Sequence, residues 1–189
     1  MSDSSGVSAV DVPSARKIEG GKLEAVFLPR QGMLCASLCY QGMELLRRIE
    51  DLEAAGKKRS TAGIPLLYPW ANRLETLGYA VAGQTVQLAA TSPLLHFDEH
   101  RQPMHGVPWS MLEWEIVEAS SVALLGRLVW NRKELLAIYP FPHQVEMRAS
   151  IPDGALTFET CVTSFGGPVP ISFGFHPYFG IPGLRRAEW

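Results

Sequence analysis

His176, in the run from Pro170 to Gly180 (Pro-Ile-Ser-Phe-Gly-Phe-His-Pro-Tyr-Phe-Gly), is the side chain best suited to move a proton. An imidazole exchanges its proton near neutral pH. This one stands between aromatic and small residues, with Pro177 fixing the backbone on its far side. A lone histidine in such a setting can equally be a core or loop group that hydrogen-bonds a neighbour. A second stretch, from Gly63 to Leu74, ends in Asn72-Arg73, and the guanidinium of Arg73 is a planar fork of donors suited to paired oxygens. The plainer reading of Arg73 is a surface arginine beside a carboxylate. His105 precedes Gly106, whose freedom to turn sharply brings an imidazole close to a ligand. His96, His100 and His105 lie near Asp98 and Glu99, a set that on a helix could bind a metal. Pro93 and Pro103 bracket that segment as a polar loop without a helical face, so no metal site is expected.

The elements that must hold these groups are mostly strands. Ile171, Phe173 and Phe175 alternate with Ser172, Gly174 and His176, which predicts a strand that delivers His176 at its end, its three apolar side chains facing a core. Pro177 would end the ladder there. Pro65 and Pro69 exclude a regular helix and a central strand, so the Gly63–Leu74 stretch is expected to cross the core as a rigid loop. Residues 22–28 and 33–40 read as a hairpin about Pro29-Arg30-Gln31-Gly32, and 79–88 as a tight hairpin about Ala82-Gly83. Further strands are expected at 111–118, 122–130, 144–151 and 155–163, the last two joined by Pro152-Asp153-Gly154. The segment 44–55 fits either a short strand or a helical or irregular loop. Many short strands with frequent turn signals predict an antiparallel all-β sandwich.

Composition sets bounds on function. A chain of 189 residues with 47% apolar and 19% charged residues fits one globular domain, or part of a larger one. A formal net charge of −2 argues against nucleic acid and anionic membranes as partners, since either calls for a basic surface. No apolar run reaches the roughly 18 residues of a membrane span. Residues 1–15 read as a flexible lead-in without a signal peptide's apolar core, and 16–189 as the sandwich domain. Three cysteines without framework spacing fit reduced thiols, Cys35 and Cys39 packing in the core. The expected location is the cytoplasm.

Three motifs stand in one order: Pro69-Trp70-Ala71-Asn72-Arg73, His105-Gly106 with Trp109, and Phe175-His176-Pro177-Tyr178-Phe179. Together they resemble the aldose 1-epimerase (galactose mutarotase) family, and Tyr139 to His143 (Tyr-Pro-Phe-Pro-His) extends the match, which covers roughly residues 22–189. The resemblance implies a galactose mutarotase-like β-sandwich with a sugar cleft, an aldose as partner, and no metal or organic cofactor. It implies His176 as the catalytic histidine that protonates the ring oxygen. Arg73 and His105 would bind the sugar, Asn72 beside them. Trp70 and Tyr178 would cover its apolar faces.

The family's general base, a glutamate in the final third, has no counterpart in a matching context, and a sugar-binding aspartate beyond the catalytic histidine is also missing. Glu146 and Glu159 lie in alternating strands and are expected to face solvent. The chain is therefore expected to correspond to the first three-fifths of a mutarotase, with its sandwich incomplete at the C-terminus. Two alternatives stay open. One is a non-catalytic carbohydrate-binding sandwich. The other is a hexose-6-phosphate 1-epimerase relative, for which Arg30, Arg47, Arg48 and Arg101 would be candidate phosphate contacts.

Overall fold

The structure is a computed structural model that describes residues 14–47 and 62–181. Two four-stranded antiparallel sheets form the body. The first has the order β1 (Arg16–Gly20), β2 (Leu23–Leu28), β3 (Leu34–Tyr40), β4 (Met43–Glu44). The second runs β11 (Thr157–Ser164), β10 (His143–Ser150), β9 (Ala123–Trp130), β8 (Glu115–Ala119). A two-stranded hairpin, β6 (Gly78–Val81) and β7 (Gln84–Gln87), turns at Ala82-Gly83. The last pair joins β5 (Leu66–Leu67) to β12 (Gly174–Phe175), far apart in sequence. A single short helix, α1 (Lys133–Leu136), interrupts the strands among the described residues. No helix among them is long and apolar enough to cross a membrane.

The sandwich follows from alternation. On β10, His143, Val145, Met147 and Ala149 point inward, while Gln144, Glu146, Arg148 and Ser150 are half-exposed. On β9 the inward set is Leu124, Gly126, Leu128 and Trp130. This period of two buries one face of each strand and leaves the other to water. Phe27 of the first sheet meets Phe158 of the second edge to face, ring centroids 5.9 Å apart. A Cβ at Gly126 would lie 2.7 Å from the sulfur of Met33, just before β3, so a larger residue there would push that flexible side chain aside.

Several expectations are refined. The strand β1 is not among the expected strands; it follows directly on the 1–15 stretch, and Ile18 is its one buried residue. Residues 1–13 and the ambiguous segment 48–61 lie outside the described residues. The strand expected at 111–118 begins only at Glu115, since Trp109–Met111 forms a 3₁₀ turn. Glu146 is half-exposed and bonded to Arg127, 2.9 Å away, while Glu159 faces solvent.

The His176 strand is the largest correction. Only Gly174–Phe175 form a ladder, Phe173 and Phe175 are half-buried, and Ile171 is 65% exposed rather than packed in a core. The partner explains this. Strand β5 is confined between Pro65 and Pro69, so it offers β12 only two paired residues.

Candidate active site

The backbone fixes His176 although its ladder is short. Beyond β12 the His176 N–H donates to the Pro65 carbonyl at 3.1 Å, and the Tyr178 N–H to the Gly63 carbonyl at 2.8 Å. The chain therefore stays clasped to the buried 63–67 segment. The exposed His176 ring stacks on Tyr178, centroids 4.6 Å apart and planes 24° apart. It meets His105 edge to face at 5.9 Å. Both of those neighbours line a cavity of about 150 Å³ whose apolar wall includes Leu66, Leu67, Val107 and Trp109.

His105 reaches the cavity by a left-handed turn. Asn72, His105 and Gly106 have φ of 64°, 62° and 66°, a region that disfavours side chains larger than glycine's. Two backbone contacts hold this turn. The His105 N–H donates to the Asn72 carbonyl at 2.8 Å, and the Val107 N–H to the Tyr68 carbonyl at 2.9 Å. In return the Asn72 N–H donates to Nδ1 of His105 at 3.0 Å. An Nδ1 that accepts is unprotonated, so neutral His105 carries its hydrogen on Nε2 and is a donor there. Burial holds its proton affinity below that of an ordinary histidine, and the nearby His176, His96 and Arg73 add to this.

Arg73 is half-exposed and outside the cavity wall. Its Nε donates to Oδ2 of Asp98 at 2.5 Å, and one terminal nitrogen donates to Oδ1 of Asn72 at 3.2 Å. The plainer reading of Arg73, an arginine beside a carboxylate, is what the structure shows, and the guanidinium has further donors besides Nε. Asp98 has no exposed side-chain surface. Its other oxygen accepts the backbone N–H groups of His100 and Gln102, each at 2.9 Å. The Gln102 hydrogen bond first, then Arg73, holds the carboxyl below the usual carboxylate range.

The structure therefore brings His105, His176, Asn72 and Arg73 into one connected group. Trp70 departs from expectation. It is buried against Tyr79 and does not line the cavity, while Tyr178 does. Arg30, Arg47 and Arg101 are also absent from the cavity wall, and Arg48 lies outside the described residues. His100 is exposed beside Glu99, and His96 lines the cavity. The role of Asp98 is missed in the sequence because the residue reads only as a metal ligand. Its signal is a carboxylate bracketed by prolines in the loop that leads to His105.

A further histidine, one of the chain's five, lies in the core. His143 is fully buried, stacked on Trp130 with planes 18° apart. Its Nδ1–H donates to the Phe141 carbonyl, which leaves Nε2 to accept the Tyr68 hydroxyl. Burial holds His143 below the ordinary histidine pKa of 6.5. Its folded value is thus below its unfolded one. The neutral ring contributes stability above about pH 6.5, and that contribution is lost as pH falls through the folded value. Unfolding in urea at about pH 7.5 and about pH 5.5 is expected to show the wild type weaker at the lower pH. His143→Phe should cost about 1–3 kcal/mol at neutral pH, from the orphaned Tyr68 hydroxyl, and should flatten the pH dependence. An unchanged pH dependence would remove His143 from this account.

The fold and site together define an antiparallel sandwich of the galactose mutarotase-like class, with His105 in a cavity wall and His176, Asn72 and Arg73 connected to it from outside that wall. The aldose 1-epimerase family model matches residues 17–189, and the chain belongs to that family. No curated protein sequence matches the chain. Among solved structures, the Slr1438 protein of Synechocystis aligns at 23% identity and a TM-score of 0.70, covering 92% of this chain and 57% of its own. A galactose mutarotase-like protein from Lactobacillus casei aligns at 20% identity and 0.68, covering 92% and 52%. A GalM/aldose epimerase homologue from C. elegans aligns at 18% identity and 0.70, covering 90% and 51%. The chain thus spans little more than half the length of these structures.

Proposed function

We propose that the chain carries the acid and sugar-binding half of an aldose 1-epimerase site, which interconverts the α and β anomers of an aldose. The observation that carries this reading is the pairing of His176 with His105 of the cavity wall, their rings 5.9 Å apart.

Anomer exchange removes the proton of the C1 hydroxyl and delivers one to the ring oxygen. The ring opens, the C1–C2 bond rotates, and the ring closes on the other face. His176 is the acid: its ring is exposed, held by its backbone and steadied by Tyr178, and it gives a proton to the ring oxygen. His105 supplies a fixed Nε2–H to a sugar oxygen. It stays neutral in this role, since protonating Nδ1 would break the bond from Asn72. Arg73 directs its free guanidinium hydrogens to hydroxyls, and Asn72 orients both neighbours. The ring of Tyr178 and the aliphatic wall cover the sugar's apolar face.

Among the described residues the cavity wall contains no carboxylate, so no residue of that wall is assigned as the base that takes the C1 proton. That observation keeps a second reading in view: a sandwich that binds aldoses without turning them over. Polarimetry of freshly dissolved α-glucose separates the two. Faster decay with the chain than in buffer, lost in His176→Ala, supports the epimerase. Saturable sugar binding with no acceleration from a folded chain supports the binding protein, and neither effect rejects both.

A further inference from the structure

We infer that Asp98 is the positioning residue of this site, an anchor that sets the aim of Arg73 and, through Asn72, the tautomer of His105. The inference rests on the sugar-site reading above and adds a residue to it.

The connection is continuous and each link has a direction. Asp98 Oδ2 accepts from Arg73 Nε at 2.5 Å, and that bond sits on the inner edge of the guanidinium. A guanidinium held at Nε cannot rotate freely about its stem, so its terminal hydrogens keep one bearing. One of them is given to Asn72 Oδ1. Asn72, held in the left-handed region, points its backbone N–H at Nδ1 of His105. The last link decides which imidazole nitrogen carries the hydrogen, and so whether His105 presents a donor or an acceptor on its other nitrogen.

Asp98 is itself fixed. Its Oδ1 accepts two backbone N–H groups of its own turn, and the Asp98 N–H donates to the Gln102 carbonyl at 3.1 Å. The loop is laced to the Arg73 segment by Leu74 N–H to the Pro103 carbonyl and by a bridge between Arg73 and Met104. Both Asp98 oxygens are satisfied, one by Arg73 and the other by two backbone N–H groups, and its side chain is covered while that of Arg73 is 43% exposed. The arrangement makes Asp98 a fixed post that holds the arginine still.

The test begins on the sugar-free wild type, by NMR of arginine Nε–H and histidine ring nitrogens. Arg73 is expected to show an Nε–H signal protected from water exchange, and His105 the Nε2–H tautomer. Asp98→Asn keeps the shape of the side chain and its acceptor for the loop N–H groups but loses the charge. It is expected to expose the Arg73 signal to exchange and to mix the His105 tautomers, with the backbone spectrum otherwise preserved. An Arg73 signal that exchanges as fast as those of other arginines in the wild type overturns the inference, and this reading needs no variant to fold. So does a variant whose His105 tautomer is unchanged. In sugar turnover, Asp98→Asn should lower kcat/KM about ten- to a hundredfold, the cost of a misaimed group. It should cause no further loss on an Arg73→Ala background. If wild type neither binds nor turns over sugar, the epimerase reading falls, and the ring and Nε–H signals still decide whether Asp98 sets the geometry.

Discussion

His176→Ala is expected to slow anomer exchange by about a hundredfold or more, the scale of a lost general acid. The expectation comes from geometry. His176 is held by its own backbone bond to Pro65 and by Tyr178's bond to Gly63, so truncating its ring leaves the fold's hydrogen bonds in place. Its ring is exposed and stacks on Tyr178, so little core packing is removed with it. Folding stability should therefore change little while turnover collapses, a combination that a structural histidine would not give. The comparison is made by polarimetry in whichever form turns sugar over: the chain alone, or the chain joined to the polypeptide that supplies the base. Near-wild-type rates in the variant would remove His176 from the acid role.

Gly106→Ala should be the most damaging single methyl at the site. A Cβ at Gly106 would lie 2.2 Å from the Tyr68 carbonyl oxygen and 2.7 Å from the Pro69 nitrogen, both backbone atoms. Its φ of 66° adds the cost of a left-handed alanine. Strain and overpacking together are expected to cost about 2–4 kcal/mol, read as a lowered urea midpoint with an unchanged slope. The effect on the site should exceed the effect on the fold. The parallel bridge between Tyr68 and Gly106 is what brings His105 beside Asn72, so moving it by a fraction of an ångström breaks the contact that fixes the imidazole. His105 ring signals should change even where the variant remains folded. A variant as stable as wild type with an unmoved His105 would show that the close approach is not needed.

The parts of this molecule visible in its sequence are those where local chemistry and tertiary demand agree. The strands about Val145, Met147 and Ala149 alternate cleanly because one face is buried along their whole length. The hairpin at Ala82-Gly83 declares itself by turn residues alone. Proline spacing marks the 63–74 crossing, and the same prolines hide something: they cut β5 to two residues, and so prevent the long His176 strand that the alternation of Ile171, Phe173 and Phe175 suggests. Periodicity reports a capacity for pairing, whereas the partner decides its length.

The site divides in the same way. His105, His176, Asn72 and Arg73 are recognisable from motif order, and their convergence is a tertiary fact. Trp70 has the composition of a sugar platform, yet its ring turns inward to Tyr79. Asp98 lies 25 positions from Arg73, and no local pattern announces a bond across that gap. The Tyr68–His143 bond spans 75 positions and is equally silent in sequence.

The central claim, that these residues form an aldose site, is tested most directly by titrating the isotope-labelled chain with galactose or glucose while following histidine ring signals. The account predicts saturable shifts of His105 and His176 with buried His143 unmoved, and their loss in Arg73→Ala. Rings of His105 and His176 that stay unperturbed by either sugar, in a folded chain, would contradict it.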